Sequence, residues 1–207
     1  MNLTPVTIPK IVKTMFPDFI WDIKTREKTL YLTFDDGPTP EITEWVLDCL
    51  KKHDAKATFF CIGKNVKLFP EIYNRIIDEE HGVGNHTFNH LKGWKTKTPD
   101  YLYDAHNASV EIKSKLFRPP YGRIKPKQAK SLLKDNYKII MWSILSLDWD
   151  KNISASKCYH NVVDKATSGS IIVFHDSKKA SHNMMYALPK VLDYFSKKGY
   201  DFKRILE

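Results

Sequence analysis

Short runs of apolar and β-branched residues recur along the chain at the length of a single strand. Each run is bounded by polar, glycine or proline residues, as in Thr29-Leu30-Tyr31-Leu32-Thr33-Phe34. Such runs are typical of strands buried in a parallel sheet. The pattern predicts seven strands, at residues 29–34, 57–62, 83–86, 116–119, 138–144, 170–175 and 200–205.

Between these runs, apolar residues recur at the spacing of one helix face. Three stripes are the clearest, and Pro189 is expected to kink the last of them. They consist of Ile42, Trp45, Val46, Cys49 and Leu50; of Ile72, Tyr73, Ile76 and Ile77; and of Met184, Met185, Leu188, Val191, Leu192 and Phe195.

Alternating strands and helices predict an α/β protein with a parallel sheet, either doubly wound or closed as a barrel. Unusual polar residues follow successive predicted strands: Asp35 and Asp36, then His86, Arg118, Asp148 and His175. The strand ends of a barrel converge on one mouth, whereas an open sheet spreads them along an edge. The pattern therefore favours a barrel over residues 29–207.

Residues 1–28 precede the first predicted strand and are expected to form an extension that packs on the barrel. Between Ile8 and Phe16 the apolar residues follow a helical period. A helix lying on its own domain fits this stripe, and an amphipathic helix at a membrane surface is the alternative. Neither a signal peptide nor a transmembrane segment is expected, because no apolar stretch is long enough. Localisation and oligomeric state are left open.

The charge of the chain is strongly positive. Its 33 Lys and Arg residues outnumber 24 Asp and Glu residues, for a formal net charge of +9. Many of the lysines lie on predicted helix faces, which favours a solvated basic surface over a polyanion-binding patch. No nucleic-acid-binding motif accompanies the charge. A basic surface would still help an enzyme to approach an anionic polymer.

The strongest chemical signal combines an acidic pair with a histidine pair. Asp35 and Asp36 end a buried strand, where carboxylates are rare without a cationic or reactive partner. His86 and His90 have a spacing that puts two imidazoles on one helix face, although this spacing alone is weak evidence. One Asp and two His form a three-ligand set for a metal such as zinc, with a position open for water. The other Asp is then free to act as a base.

Two further residues at predicted strand ends carry weaker signals. Arg118 follows an apolar run where an unpaired guanidinium would be costly, so we expect a carboxylate partner, and Asp35 is available. His175 ends the run Ile171-Ile172-Val173-Phe174. The residues alone leave it open whether His175 is a hydrogen-bonded core residue or a catalytic acid.

Five segments, in this order along the chain, resemble the motifs of the polysaccharide deacetylase family, the NodB-homology carbohydrate esterases of family four. They are Thr-Phe-Asp-Asp-Gly-Pro at 33–38, His-Thr-Phe-Asn-His at 86–90, Arg-Pro-Pro-Tyr at 118–121, Asp-Trp at 148–149 and Val-Phe-His-Asp at 173–176. The resemblance runs from about residue 29 to near the C-terminus. It implies a distorted, TIM-like (β/α)7 barrel and a metal-dependent removal of N-acetyl groups from amino-sugar glycans.

The resemblance also implies a role for each matched residue. Asp36, His86 and His90 would hold a divalent metal, for which their N/O donors suit zinc and also admit cobalt or nickel. The implied catalytic residues are Asp35 as general base, Arg118 orienting it, the backbone amide of Tyr121 stabilising the oxyanion, and His175 protonating the leaving amine. The implied substrate-pocket residues are Trp149, Pro119, Val173 and Asp148, and Trp149 would form a wall of the acetyl pocket.

The chain departs from the family's fourth motif, which usually reads Asp-x-x-Asp-Trp. Here it reads Leu145-Ser146-Leu147-Asp148-Trp149. If Leu145 replaces the partner of the catalytic histidine, the pKa of His175 is expected to be lower than in relatives. Candidates to replace that partner are Asp176, Asp148 and His182.

The leading interpretation is an N-deacetylase of peptidoglycan- or chitin-like glycans. An O-acetyl esterase acting on xylan fits the same scaffold, and a non-catalytic sugar-binding relative is a third interpretation. The last is disfavoured because a binding module needs no general base beside its metal. Trp94 is a candidate platform for sugar stacking, with a structural role as the alternative.

Overall fold

The structure, a computed structural model, describes residues 4–207; residues 1–3 of the predicted N-terminal extension lie outside the described part. The strands are β1 Thr29–Asp35, β2 Ala57–Cys61, β3 Gly82–Asn85, β4 Leu116–Phe117, β5 Lys138–Ile139, β6 Ile144–Leu145, β7 Ile171–His175 and β8 Asp201–Phe202. The helices are α1 Lys10–Met15, α2 Ile42–Lys52, α3 Gly63–Leu68, α4 Pro70–Asp78, α5 Thr98–Glu111, α6 Pro126–Lys134, α7 Ala155–Val163 and α8 Ser181–Ser196.

The strands form one parallel sheet in the order β5-β4-β3-β2-β1-β7-β6, with β8 paired to the beginning of β1. Within residues 4–207 the two edge strands, β5 and β6, do not pair with each other. The predicted distorted barrel is confirmed, and it is open between these edges. The helices predicted from the apolar stripes that begin at Ile42, Ile72 and Met184 are also confirmed, as α2, α4 and α8. Pro189 lies inside α8.

The N-terminal segment lies across the opening between β5 and β6. Ile20 forms a parallel bridge with Ile140, and Thr7 forms an antiparallel bridge with Ile144. The amide of Ile20 donates to the Ile139 carbonyl at 2.9 Å. This segment therefore satisfies backbone groups that the missing strand pair would otherwise leave free. The boundary at residue 29 between extension and catalytic domain stays a prediction.

The apolar stripe between Ile8 and Phe16, which includes helix α1, is only partly covered. Ile8 and Val12 pack against the core cluster around Tyr101 and Phe117, whereas Ile11 and Met15 are 69% and 67% exposed. Within residues 4–207, no helix combines the length and apolarity that crossing a bilayer requires.

The strand predicted at 138–144 is wrong in its middle, because β5 ends at Ile139 and β6 begins at Ile144. Between them the backbone turns toward a buried side chain. The carbonyl oxygens of Ile140 and Met141 accept hydrogen bonds from Arg118 at 3.1 and 2.8 Å. Carbonyl oxygens that bind Arg118 in this way are diverted from pairing with a neighbouring strand, and the hydrophobic pattern gives no sign of this contact.

Strand β1 shows how the sheet delivers polar side chains to the barrel interior. Leu30, Leu32 and Phe34 are fully buried in the cluster beneath the helices. Thr33 and Asp35 point to the other face, because successive side chains of a strand alternate. Burial of each large apolar side chain contributes on the order of 2 kcal/mol to folding. The apolar set fixes the register and thereby the direction of Asp35.

Candidate active site

Four of the six polar residues predicted at strand ends line one cleft of about 700 Å³: Asp35, Asp36, His86 and His175. The other two, Arg118 and Asp148, are buried and contact Asp35 and His175. Asp35 and His175 end β1 and β7, whose last residues are paired in the sheet. His86 directly follows β3. The cleft is lined by Thr4, Asp35, Asp36, His86, His90, Lys92, Trp94, Lys95, Tyr121, Gly122, Arg123, Trp142, Leu145, Trp149, Val173, His175, Ser177 and Lys179.

Asp36, His86 and His90 form a cluster with the geometry of a metal site. One donor atom from each lies within 4.8 Å of the others. Oδ1 of Asp36 is 3.2 Å from Nε2 of His90 and 3.8 Å from Nε2 of His86. Burial acts to raise the pKa of Asp36, but the hydrogen bond from His90 and the nearby histidine charges outweigh it and lower the pKa well below its ordinary range. Asp36 is therefore an anion under all ordinary conditions.

The protonation state of His86 fits metal binding. Its Nδ1 donates to the Arg118 carbonyl at 2.7 Å, which leaves the lone pair of Nε2 facing Asp36 and His90. Burial lowers the pKa of His86 to about 4, and the charge of Asp35 only partly opposes this effect. A neutral imidazole is the form that binds a metal. The donor set thus fits a divalent cation.

The two histidines lie in a loop, so the helix that their spacing suggested is wrong. Thr87 and His90 have left-handed backbone angles, with φ values of 62° and 57°. The carboxylate of Asp104, on α5, accepts hydrogen bonds from the amides of Phe88 and Asn89 at 3.0 and 2.9 Å. This buried acid holds the loop in shape. Sequence reasoning missed Asp104, although it interrupts the buried, otherwise apolar face of α5.

Asp35 is held by a fully buried arginine. Nη1 of Arg118 donates to Oδ1 of Asp35 and to Oγ1 of Thr33, both at 2.7 Å, and the guanidinium lies 4.0 Å from the centre of the Phe60 ring. The expected carboxylate partner of Arg118 is therefore Asp35. Oδ2 of Asp35 accepts no hydrogen bond within residues 4–207 and remains available to a ligand in the cleft.

Tyr121 stands at the rim beside the metal-site residues. Its ring centre is 4.7 Å from that of His90, and its backbone is left-handed, with φ 60°. Its amide donates no hydrogen bond to any residue from 4 to 207. An N–H free of protein partners at a cleft is a candidate donor to a developing oxyanion.

His175 has a carboxylate partner, which corrects the expectation drawn from Leu145. Oδ1 of Asp148 is 2.8 Å from Nδ1 of His175, and Oδ2 accepts from the backbone amide of His175 at 2.6 Å. Burial acts to lower the pKa of His175, but the charge and hydrogen bond of Asp148 outweigh it and raise this pKa to about 9. The imidazolium is thus the major form at neutral pH, and the partner is the second acid of the motif.

One wall of the cleft is apolar. Leu145 packs against Val173 and Trp149, and the Trp149 ring meets His175 edge-on at 4.7 Å. Of the four predicted substrate-pocket residues, Trp149 and Val173 line the cleft. Pro119 and Asp148 do not. Both residues are buried, and the carboxylate of Asp148 is hydrogen-bonded to His175.

Asp176 supports the loop that carries the two acids. It is fully buried, and its carboxylate accepts from the Gly37 amide at 3.0 Å and from Oγ1 of Thr43 at 2.6 Å. Burial raises the pKa of Asp176 to about 7, with the Thr43 hydrogen bond opposing the shift. Asp176 directly follows His175 at the end of a buried strand. An acid in this position can be recognised from the sequence, as Asp35 and Asp36 were.

Comparisons with known proteins agree with this geometry. The family model described as polysaccharide deacetylase matches residues 22–140. A peptidoglycan-N-acetylglucosamine deacetylase of Bacillus cereus is 38% identical over 83% of this chain and 64% of its own length. The peptidoglycan-N-acetylmuramic acid deacetylase PdaA of Bacillus subtilis is 35% identical over 87% of this chain and 71% of its own.

A solved structure is similar over nearly the whole fold. The crystal structure of the Bc1960 peptidoglycan N-acetylglucosamine deacetylase superposes with a TM-score of 0.88 at 32% identity, covering 96% of this chain and 95% of that one. With a family match over more than half of the sequence, the chain belongs to the polysaccharide deacetylase family.

Proposed function

We propose that this chain removes N-acetyl groups from the amino sugars of a peptidoglycan-like glycan, with a divalent metal held by Asp36, His86 and His90. The observation that carries the proposal is the meeting of three chemical roles in one cleft. These are a metal-ligand cluster, a carboxylate with a free oxygen, and an imidazolium. The deacetylase relatives, two of them matched over more than four fifths of this chain, support the same reaction.

In this proposal Asp35 acts as the general base. A divalent cation bound at the site would polarise the acetyl carbonyl and lower the pKa of a bound water. Asp35 accepts the proton of the attacking water on Oδ2, while the hydrogen bond from Arg118 fixes Oδ1. The water oxygen forms a bond to the carbonyl carbon, and the carbonyl electrons move onto its oxygen.

The remaining steps belong to Tyr121 and His175. The amide of Tyr121 donates a hydrogen bond to the new oxyanion. Collapse of the tetrahedral species breaks the bond between carbon and nitrogen, and His175 donates its Nε2 proton to the departing amine. Asp148 holds the other ring nitrogen and stabilises the charged form. The products are acetate and a free amino sugar.

Zinc is the metal that we propose for the site, because two imidazoles and one carboxylate are typical of catalytic zinc centres; cobalt and nickel are accepted alternatives. His86→Ala removes the most buried ligand. We expect metal retention and activity to be lost while the fold persists. Full metal stoichiometry in His86→Ala by elemental analysis would show that the ligand assignment is wrong.

The test of the function is acetate release from three kinds of substrate by the metal-loaded protein, with products identified by mass spectrometry. We expect deacetylation of peptidoglycan fragments or of chitooligosaccharides. Release from acetylated xylan alone would instead establish an O-acetyl esterase. No release from any of them, by a protein that retains its metal, would favour a sugar-binding relative. Metal content does not separate the two enzymes, since both require it.

A further inference from the structure

The mouth of the cleft is lined by cations that the proposed reaction does not use. They are Lys92, Lys95, Arg123 and Lys179, and all four are exposed. The only acids in the lining are Asp35 and Asp36. Asp35 is neutralised by Arg118 at the bottom of the cleft, and Asp36 belongs to the metal cluster. We call these four cations the rim. No acid that lines the cleft is left to balance their positive charge.

Two of the four rim cations, Lys92 and Arg123, lie over aromatic rings. Nζ of Lys92 lies 4.9 Å from the centre of the Tyr121 ring, and the Arg123 guanidinium lies 4.8 Å from the Trp94 ring. Trp94 is itself anchored, because its Nε1 donates to the Ile124 carbonyl at 3.1 Å. Throughout residues 4–207, no rim cation forms a salt bridge with a carboxylate.

Some basic residues elsewhere on the surface form ion pairs with acids, whereas the rim cations do not. Lys13, Arg75 and Lys203, for example, each pair with an acid within 2.7 Å. Like charges gathered without counterions around a concave site raise its potential and attract an anion there. Cations held over aromatic faces also keep a defined position for a ligand.

We infer that the rim binds anionic groups carried by the acetylated glycan, carboxylate or phosphate, next to the amino sugar that is deacetylated. The inference rests on the proposed function and narrows its substrate class. Trp94 lines the same cleft and is 59% exposed, so it offers a face on which a sugar ring can stack while the acidic substituent of that sugar contacts the cations. A neutral chitin-like chain offers the rim cations hydrogen-bond acceptors but no anionic group.

The test compares substrates that differ only in charge. The first pair is a peptidoglycan tetrasaccharide with free lactyl carboxylates and the same tetrasaccharide with those carboxylates converted to methylamides. The second pair is chitotetraose with and without 6-O-phosphate. We expect kcat/KM to be about tenfold higher for the charged member of at least one pair at low ionic strength, since each exposed charge pair contributes up to a few-fold. The preference should shrink in 0.5 M NaCl, where charges are screened within a few ångströms.

A variant assigns the preference to the rim. Replacing Lys92, Lys95, Arg123 and Lys179 together by Gln should reduce the ratio of the two kcat/KM values to near one. The control is Lys51→Gln with Lys52→Gln. These exposed lysines are the last two residues of α2. They lie at the end of the barrel opposite the strand ends that carry the site. The control should keep the full ratio.

The outcomes separate this inference from the proposed function. Preference for the carboxylate pair or for the phosphate pair identifies which anion the rim binds. Equal deacetylation of charged and neutral members by the wild type would overturn the inference and leave the deacetylase activity standing. A charge preference that survives in the four-Gln variant would overturn the assignment to the rim. Failure to deacetylate any member would instead contradict the proposed function.

Discussion

At the scale of single residues, Asp35 combines two roles that one substitution can separate. It neutralises a fully buried arginine and presents a free oxygen to the cleft. Asp35→Asn keeps a hydrogen-bond acceptor for Arg118 but removes the base. We expect metal content to be retained and kcat to fall by roughly a hundredfold or more, the usual effect of losing a general base. Steady-state kinetics and elemental analysis on the same preparation check this.

Two results would contradict the role given to Asp35. Near-normal turnover in Asp35→Asn would show that another group accepts the proton. Loss of the metal would show that Asp35 is a ligand rather than a base.

The pair formed by Asp148 and His175 sets the pH range of the proposed acid step. The reaction needs protonated His175, so activity should fall as pH rises through the pKa of about 9. Asp148→Asn removes the charge that opposes burial. The pKa of His175 should then drop, and the alkaline limb of the pH–rate profile should move down by on the order of 1 to 2 units. Asp150→Asn, a nearby acid that bonds to Asn152 instead, is the control.

An alkaline limb that stays in place in Asp148→Asn would exclude His175 as the titrating acid.

The structure also changes the effect that we expect from Leu145→Asp. Because Leu145 is 4% exposed and packs on Leu147 and Val173, a carboxylate there would be buried without a partner. It would destabilise the fold rather than supply a missing partner to His175.

At the scale of elements, the site depends on the loop after β1. A Cβ added at Gly37 would lie 1.9 Å from Oδ2 of Asp176. In Gly37→Ala the loop must shift away from this buried carboxylate, and Asp36 moves with it. We expect metal affinity to weaken at least tenfold, as when the groups supporting a ligand are lost, together with a lower melting temperature. Metal titration and thermal unfolding measure the two effects.

Gly199→Ala is a control for the general cost of replacing a glycine. A Cβ there meets nothing within 4 Å, although the backbone has φ +75°. The variant should lose about 1 kcal/mol of stability through backbone strain and keep its metal affinity. Equal metal affinity in Gly37→Ala and the wild type would show that Asp176 does not control the loop.

Helices and strands are predicted well from the sequence where buried residues recur periodically. They are predicted poorly where a single polar contact determines the conformation of a segment. The buried alternation of β1 identifies both the strand and the direction of Asp35. The closeness of Asp36, His86 and His90 is foreseen because these residues lie in short motifs at strand ends. The loop conformation of His86 and His90 is not foreseen, because it depends on Asp104, sixteen residues further along the chain than Phe88. The Asp148 contact to His175 likewise joins residues 27 apart.

At the scale of the whole molecule, the fold class follows from the order of strands and helices, but the closure of the barrel does not. The gap between β5 and β6 is covered by backbone bridges from Thr7 and Ile20. Such pairings leave no periodic trace in a segment that is half exposed. Arg118 adds to the irregularity, since its bonds to two carbonyls interrupt the strand that hydrophobicity predicts.

Global stability should depend on pH through a histidine far from the cleft. His81 is 5% exposed, and its Nδ1 accepts from the Ala57 amide at 3.2 Å. Burial, with the charge of Lys56, lowers the pKa of His81 to about 4, against 6.5 for an ordinary histidine. Between these values the unfolded chain binds a proton that the folded chain does not. Stability is therefore lost as pH falls from about 6.5 to about 4, by on the order of 3 kcal/mol.

His81→Asn retains an acceptor for the Ala57 amide but cannot titrate. Its free energy of unfolding, measured by urea denaturation with a chelator present, should fall less steeply than that of the wild type between pH 6.5 and 4. The difference in slope corresponds to one proton. His160→Asn, at an exposed imidazole on α7, should follow the wild type. Parallel pH profiles for wild type and His81→Asn would mean that His81 is protonated in the folded state, contrary to the burial that surrounds it.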